Sequence, residues 1–130
     1  MTNPVILIIE DNEQNRYLTT FLLEKNGCTV FCAVDGPQGI EMAKRLQPQM
    51  ILLDIQLPSM DGYMVAKALR ATPSLAHTPL VAVTSYAMPG DREKALEAGC
   101  DGYIEKPINP STFVSEVAGY LSPNTKEDNA

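Results

Sequence analysis

A chain of 130 residues is the size of one ordinary domain, and 45% hydrophobic with 20% charged residues is enough apolar material to cover both faces of a sheet. The formal net charge of −6 argues against nucleic acid or an anionic lipid surface as a direct partner, because both recruit clustered Lys and Arg. No apolar run reaches the ~18 residues of a membrane span. The start Met1-Thr2-Asn3-Pro4 lacks the basic stretch and apolar core of a secretory signal, so a cytoplasmic setting is expected.

Apolar runs alternate with amphipathic stretches about five times, the pattern of an α/β domain. The strand-like runs are near-continuously apolar, which predicts a parallel sheet covered by helices on both faces. Residues 5–9 are the first strand and run into Glu10 and Asp11. Asn12 caps a helix through Asn26, with Tyr17, Leu18, Phe21, Leu22 and Lys25 as its stripe and Gly27 at its stop. Residues 28–34 form the second strand. Cys28 and Cys32 lie in it roughly 13 Å apart, too far for one metal. With Cys100 they are an odd set of three, expected to be small buried hydrophobes and not a disulfide framework.

Asp35-Gly36-Pro37 opens a second helix carrying Ile40, Met42, Ala43 and Leu46. Residues 50–53 form the third strand and run into Asp54. A turn-rich loop, residues 57–62, leads to a third helix over about 63–71 with Val65, Ala66 and Leu69. Residues 72–79 are a polar connection, and His77, the one histidine, reads as a surface or loop-packing residue. The fourth strand, 80–83, reaches Thr84 and Ser85, and residues 86–90 form a mobile loop. A short helix over about 91–98 closes at Gly99, and residues 102–105 form a fifth strand ending at Lys106-Pro107. Asn109-Pro110 starts the last helix with Phe113, Val114, Val117 and Leu121. Residues 122–130 are a polar tail, so residues 1–121 form the single domain and no output domain is expected.

In an open parallel sheet the strand C-termini share one edge, where ligand sites form. Glu10, Asp11, Asp54, Thr84 and Lys106 therefore meet there. Glu10 and Asp11 suit a helix N-terminus, but adjacent carboxylates also make a hard oxygen site for Mg²⁺, with Mn²⁺ possible on the same ligands. Asp54 follows Ile51-Leu52-Leu53, a costly place for a carboxylate unless it is paired or at the sheet edge. Carboxylates are nucleophiles in phosphoryl transfer. Thr84 and Lys106, taken singly, read as a turn residue and a surface lysine. Together with the acids they supply donors for peripheral phosphoryl oxygens.

The segments Ile8-Ile9-Glu10-Asp11-Asn12, Leu53 to Gly62, Val83-Thr84-Ser85 and Tyr103-Ile104-Glu105-Lys106-Pro107 resemble a response regulator receiver domain of two-component signalling, over residues from about 5 to 121. Within that CheY-like superfamily the chain is most similar to stand-alone DivK-type regulators and hybrid-kinase receivers. The resemblance implies a doubly wound, flavodoxin-like (βα)5 fold with strand order 2-1-3-4-5. It implies that Asp54 accepts a phosphoryl group from a phosphohistidine on a sensor histidine kinase, hybrid kinase or phosphotransfer protein. Asp11, Asp54 and the Gln56 backbone carbonyl would bind Mg²⁺, with Glu10 acting largely through a water. Lys106 would contact Asp54 and then the phosphoryl oxygens. Thr84 would turn inward as the switch while Tyr103 swings with it, and Lys106-Pro107 would be cis. Asn15, Leu18 and Pro107 would form the kinase-docking surface.

Gln56 and Tyr86 flank the path of a hydrolytic water, and the bulk of Tyr86 is expected to slow self-dephosphorylation. A haloacid-dehalogenase-type phosphohydrolase would need a second Asp where Gln56 stands. A flavodoxin-like flavin binder would need a Ser/Thr/Gly-rich phosphate loop after the first strand. The chemistry expected is self-modification and not turnover of a substrate.

Overall fold

Among the residues described in the computed structural model (3–57, 60–85 and 89–121), five parallel strands form one sheet in the order β2-β1-β3-β4-β5. They are β1 (Val5–Ile9), β2 (Thr29–Ala33), β3 (Met50–Asp54), β4 (Leu80–Thr84) and β5 (Gly102–Glu105). Helices α1 (Glu13–Lys25), α2 (Gly36–Leu46), α3 (Gly62–Ala71), α4 (Asp91–Glu97) and α5 (Pro110–Leu121) alternate with them. Tyr86, part of the 86–90 loop and the 122–130 tail lie outside the described residues. No helix among the described residues is long and apolar enough to cross a membrane.

The central strands β1, β3 and β4 are buried along nearly their whole length, as their unbroken apolar runs require. One face packs Leu7, Ile9, Ile51 and Leu53 against Ala43, Val65, Ala66, Leu69 and Ala95 of α2, α3 and α4. The other packs Ile6, Ile8, Leu52 and Val81 against Leu23, Phe113 and Val117 of α1 and α5. Side-chain caps start the helices: Asn12 accepts from Asn15 N–H, Asp35 from Gln38 N–H and Asn109 from Ser111 N–H. Gly27 and Gly99 take the left-handed conformation that ends α1 and α4.

The stripe read for α1 is displaced. Thr19 and Leu23 face the sheet, whereas Tyr17 is 74% exposed and stacks on Phe21, with Lys25 over the Phe21 ring. Two positions along a helix turn a side chain by about 200°, so aromatics two residues ahead of Thr19 and Leu23 point away from the core. Two smaller differences concern the edge strand and the 72–79 connection, and His77 keeps to its reading as a surface residue. β2 is an edge strand shorter than 28–34, so Cys28 and Cys32 are only half-buried, while Cys100 is buried. The 72–79 connection holds a 3-10 turn, Pro73–Leu75, that plants Leu75 in the core. His77 is exposed.

At Gly62 the backbone of α3 comes so close to the end of β3 that an added Cβ would sit 2.5 Å from Ile55 Cα. Backbone cannot rotate aside as a side chain does. Gly62→Ala is therefore expected to lower stability by about 1–2 kcal/mol, read as a lower urea midpoint at unchanged slope.

Candidate functional site

The register converts strand order into a site. Ile9 pairs with Leu53, so Glu10 and Asp54 each follow paired residues on adjacent strands. Asp54 pairs with Val83, which puts Thr84 one step further on β4, and Thr84 pairs with Glu105, which puts Lys106 beyond β5. With neighbouring strands about 4.8 Å apart, these side chains gather at one edge of the sheet. The ladder carries on past the strand ends: Glu10 N–H donates to Ala33 O, Ile55 N–H to Val83 O and Lys106 N–H to Thr84 O. The residues that bear the chemistry are thus fixed by backbone bonds and not left on free loops.

Asp54 is 3% exposed, and Glu10 and Thr84 are also buried. The Lys106 ammonium bridges the two acids, 2.7 Å from Glu10 Oε1 and 3.3 Å from Asp54 Oδ2. Asn12 N–H donates to Glu10 Oε2, which engages both Glu10 oxygens, and the Arg16 guanidinium donates to the Glu10 carbonyl. Gln56 N–H donates to Asp54 Oδ1 at 2.9 Å. Asp11 is exposed, yet Glu10, Asp11 and Asp54 each bring one carboxylate oxygen within 4.8 Å of the others. Among the described residues this is the group of acidic, His or Cys side chains with the geometry to hold a cation.

Burial pushes the Asp54 carboxyl up to about 7, helped by the hydrogen bond and charge of Glu10 and opposed by the Lys106 ammonium and the Gln56 N–H. A buried carboxylate beside a second acid seeks more positive charge than one lysine gives. All-oxygen, carboxylate-rich donors at a cleft mouth suit a hard divalent ion that keeps several waters.

The site contains two contacts that the motif reading lacks. One is the short Lys106–Glu10 pair, since the motif leads only to Lys106 and Asp54. The other is the Gln56 side chain, which donates from Nε2 to Thr84 Oγ1 at 2.6 Å and accepts from Ser85 N–H at 3.1 Å. A Gln two residues beyond a strand-end Asp was the available signal, but its partners lie about thirty residues away in the chain. The Lys106–Pro107 peptide bond is cis. Tyr103 is half-buried on β5, and its hydroxyl is buried with no hydrogen-bond partner among the described residues.

Comparison with known proteins matches this geometry to a family. The family model for the response regulator receiver domain matches residues 6–118. The polar-differentiation response regulator DivK of Brucella anthropi is 39% identical over 116 residues, covering 89% of this chain and 94% of its own, and that of Brucella ovis agrees equally well. Among solved structures, the receiver domain of sensor histidine kinase PA1611 from Pseudomonas aeruginosa, which has a magnesium ion in its active-site cleft, superimposes with a TM-score of 0.86. It is 31% identical, covering 93% of this chain and 99% of that one. A CheY-like receiver protein from Methanospirillum hungatei gives 0.87 at 29% identity, over 97% and 99% of the two chains. Strand order, cleft and sequence agree, and the chain belongs to the response regulator receiver domain family of two-component signalling.

Proposed function

We propose that Asp54 is the phosphoacceptor of this receiver, taking a phosphoryl group from a phosphohistidine on a sensor histidine kinase, a hybrid kinase or a phosphotransfer protein. The observation that carries this reading is the buried Asp54 carboxylate, held between Gln56 N–H and the Lys106 ammonium beside two further acids. A carboxylate oxygen of Asp54 forms the new O–P bond while the P–N bond of the donor breaks. The electron pair returns to the imidazole nitrogen, which takes up a proton. Lys106 follows the charge from the carboxylate onto the phosphoryl oxygens, and Thr84 meets them with its hydroxyl.

The donor set fits a divalent ion. Asp11, Asp54 and the Gln56 carbonyl would hold Mg²⁺, and Mn²⁺ accepts the same oxygens. Glu10, whose oxygens already face Lys106 and Asn12 N–H, would act through water. Bound there, the ion supplies neutralising charge for the transferring group. The magnesium in the Pseudomonas receiver supports this reading.

Residues 1–121 then act as one switch unit whose output is a changed surface. Thr84 turns toward the phosphoryl group, and Tyr103, whose buried hydroxyl has no hydrogen-bond partner among the described residues, moves with it. The chemistry is performed on the protein itself. The net charge of −6 argues against nucleic acid as a direct partner, and the need for a phosphohistidine donor argues for a cytoplasmic setting.

Incubation with acetyl phosphate and Mg²⁺, followed by intact-mass measurement, tests the reading. The parent protein is expected to gain a single phosphoryl adduct that Asp54→Asn does not form. Turnover of small phosphoesters, or an adduct retained in Asp54→Asn, would overturn it.

A further inference from the structure

We infer that the Gln56 carboxamide is a latch that holds Thr84 and Ser85 in the resting arrangement and has to release them before Thr84 can turn toward a phosphoryl group on Asp54. The inference rests on the phosphoacceptor reading above and assigns a regulator within that site. A carboxamide both donates and accepts in one plane, and Gln56 uses both functions on consecutive residues of one strand end. Nε2 gives a short 2.6 Å bond to the Thr84 hydroxyl, and Oε1 takes the Ser85 N–H.

The main chain of the same residue donates to Asp54 Oδ1. Gln56 is therefore bonded at one end to the phosphoacceptor and at the other to the switch strand. Thr84 is buried, and its carbonyl receives Lys106 N–H, which fixes the backbone at this point of the strand end. A phosphoryl group at Asp54 offers the hydroxyl a charged acceptor, a partner roughly twice as strong as a neutral amide. Phosphorylation thus competes with the latch for the position of the Thr84 hydroxyl, and the strength of the latch biases how readily the receiver switches.

Gln56→Met keeps the length of the side chain and removes both bonds while leaving the backbone carbonyl in place. The test titrates beryllofluoride, a mimic of the acyl phosphate, with Mg²⁺ into the parent and the variant, and measures amide hydrogen exchange at Ser85 in the resting proteins. Two hydrogen bonds of ordinary net strength correspond to about a tenfold change in an equilibrium. The variant is expected to bind beryllofluoride about tenfold tighter and to exchange the Ser85 amide faster, and Gln56→Ala is expected to repeat both results. A residue with only a structural role would leave the affinity unchanged or weaken it. Equal or weaker binding by the variants overturns the latch alone. Absence of uptake by the parent and variants alike overturns the phosphoacceptor reading and the latch with it.

Discussion

Lys106→Met is expected to slow phosphoryl uptake at Asp54 by about 10²–10³-fold, the usual cost of deleting a preorganised group aimed at developing charge. It is also expected to lower the metal-free unfolding free energy at neutral pH by about 3 kcal/mol. Both effects come from one position. The ammonium is the shared counter-ion of Glu10 and Asp54, at 2.7 and 3.3 Å, and all three groups are nearly closed to solvent. Methionine fills the space but leaves two acids facing each other in a site of low dielectric. Removing one partner of a buried pair usually costs ~3–5 kcal/mol, and protonation of Asp54 relieves part of that cost. The more negative site should also bind Mg²⁺ more tightly, so saturating metal restores more stability to the variant than it adds to the parent. Urea unfolding with chelator and with Mg²⁺, beside stopped-time phosphorylation by acetyl phosphate, reads both effects. A variant as stable as the parent, with uptake within a few-fold, would show that Lys106 is a bystander.

What the sequence made legible and what it did not follow from the range of the interactions. Strand C-termini in a parallel sheet share an edge, so the local run that ends at Asp54 or Glu10 already places its acid at the cleft. The caps at Asn12, Asp35 and Asn109 span two or three residues and can be read in the same way. The Arg70 guanidinium could not be read. It donates to the carbonyls of Leu75, Thr78 and Gly99 and pairs with Asp101, which in turn accepts Leu80 N–H. That one side chain ties the starts of β4 and β5 to α3, and no periodicity announces it. The same holds for Gln56 with Thr84 and for Lys106 with Glu10, where the partners come from different strands. Tyr17 and Phe21 failed for the opposite reason. Both are apolar and helically spaced, but spacing alone does not say which face of α1 meets the sheet, and the pair faces outward.

Asp54→Asn is expected to be more stable than the parent at pH 8 in metal-free buffer, by about 2 kcal/mol, with the gap closing toward pH 4. Burial, reinforced by Glu10, raises the Asp54 carboxyl from its ordinary 3.8 to about 7. Between those values the native state holds a proton that the unfolded chain has already lost, so unfolding free energy falls as pH rises through the window. Below pH 4 both states carry the proton, and Asp54 costs no more than Asn. Above pH 7 the native state bears the full cost of a buried charge. At 1.36 kcal/mol per unit the whole shift corresponds to ~4 kcal/mol, and relaxation with water entry when the carboxylate ionises reduces it to about half. Thermal or urea unfolding of the two proteins between pH 4 and pH 8 with chelator measures the gap, and a gap independent of pH would refute the argument. The same destabilisation explains why this acid is suited to react. A carboxylate held at a cost in its resting form gives up part of that cost when a cation arrives, so the fold primes this acid to take up the metal that phosphoryl transfer needs.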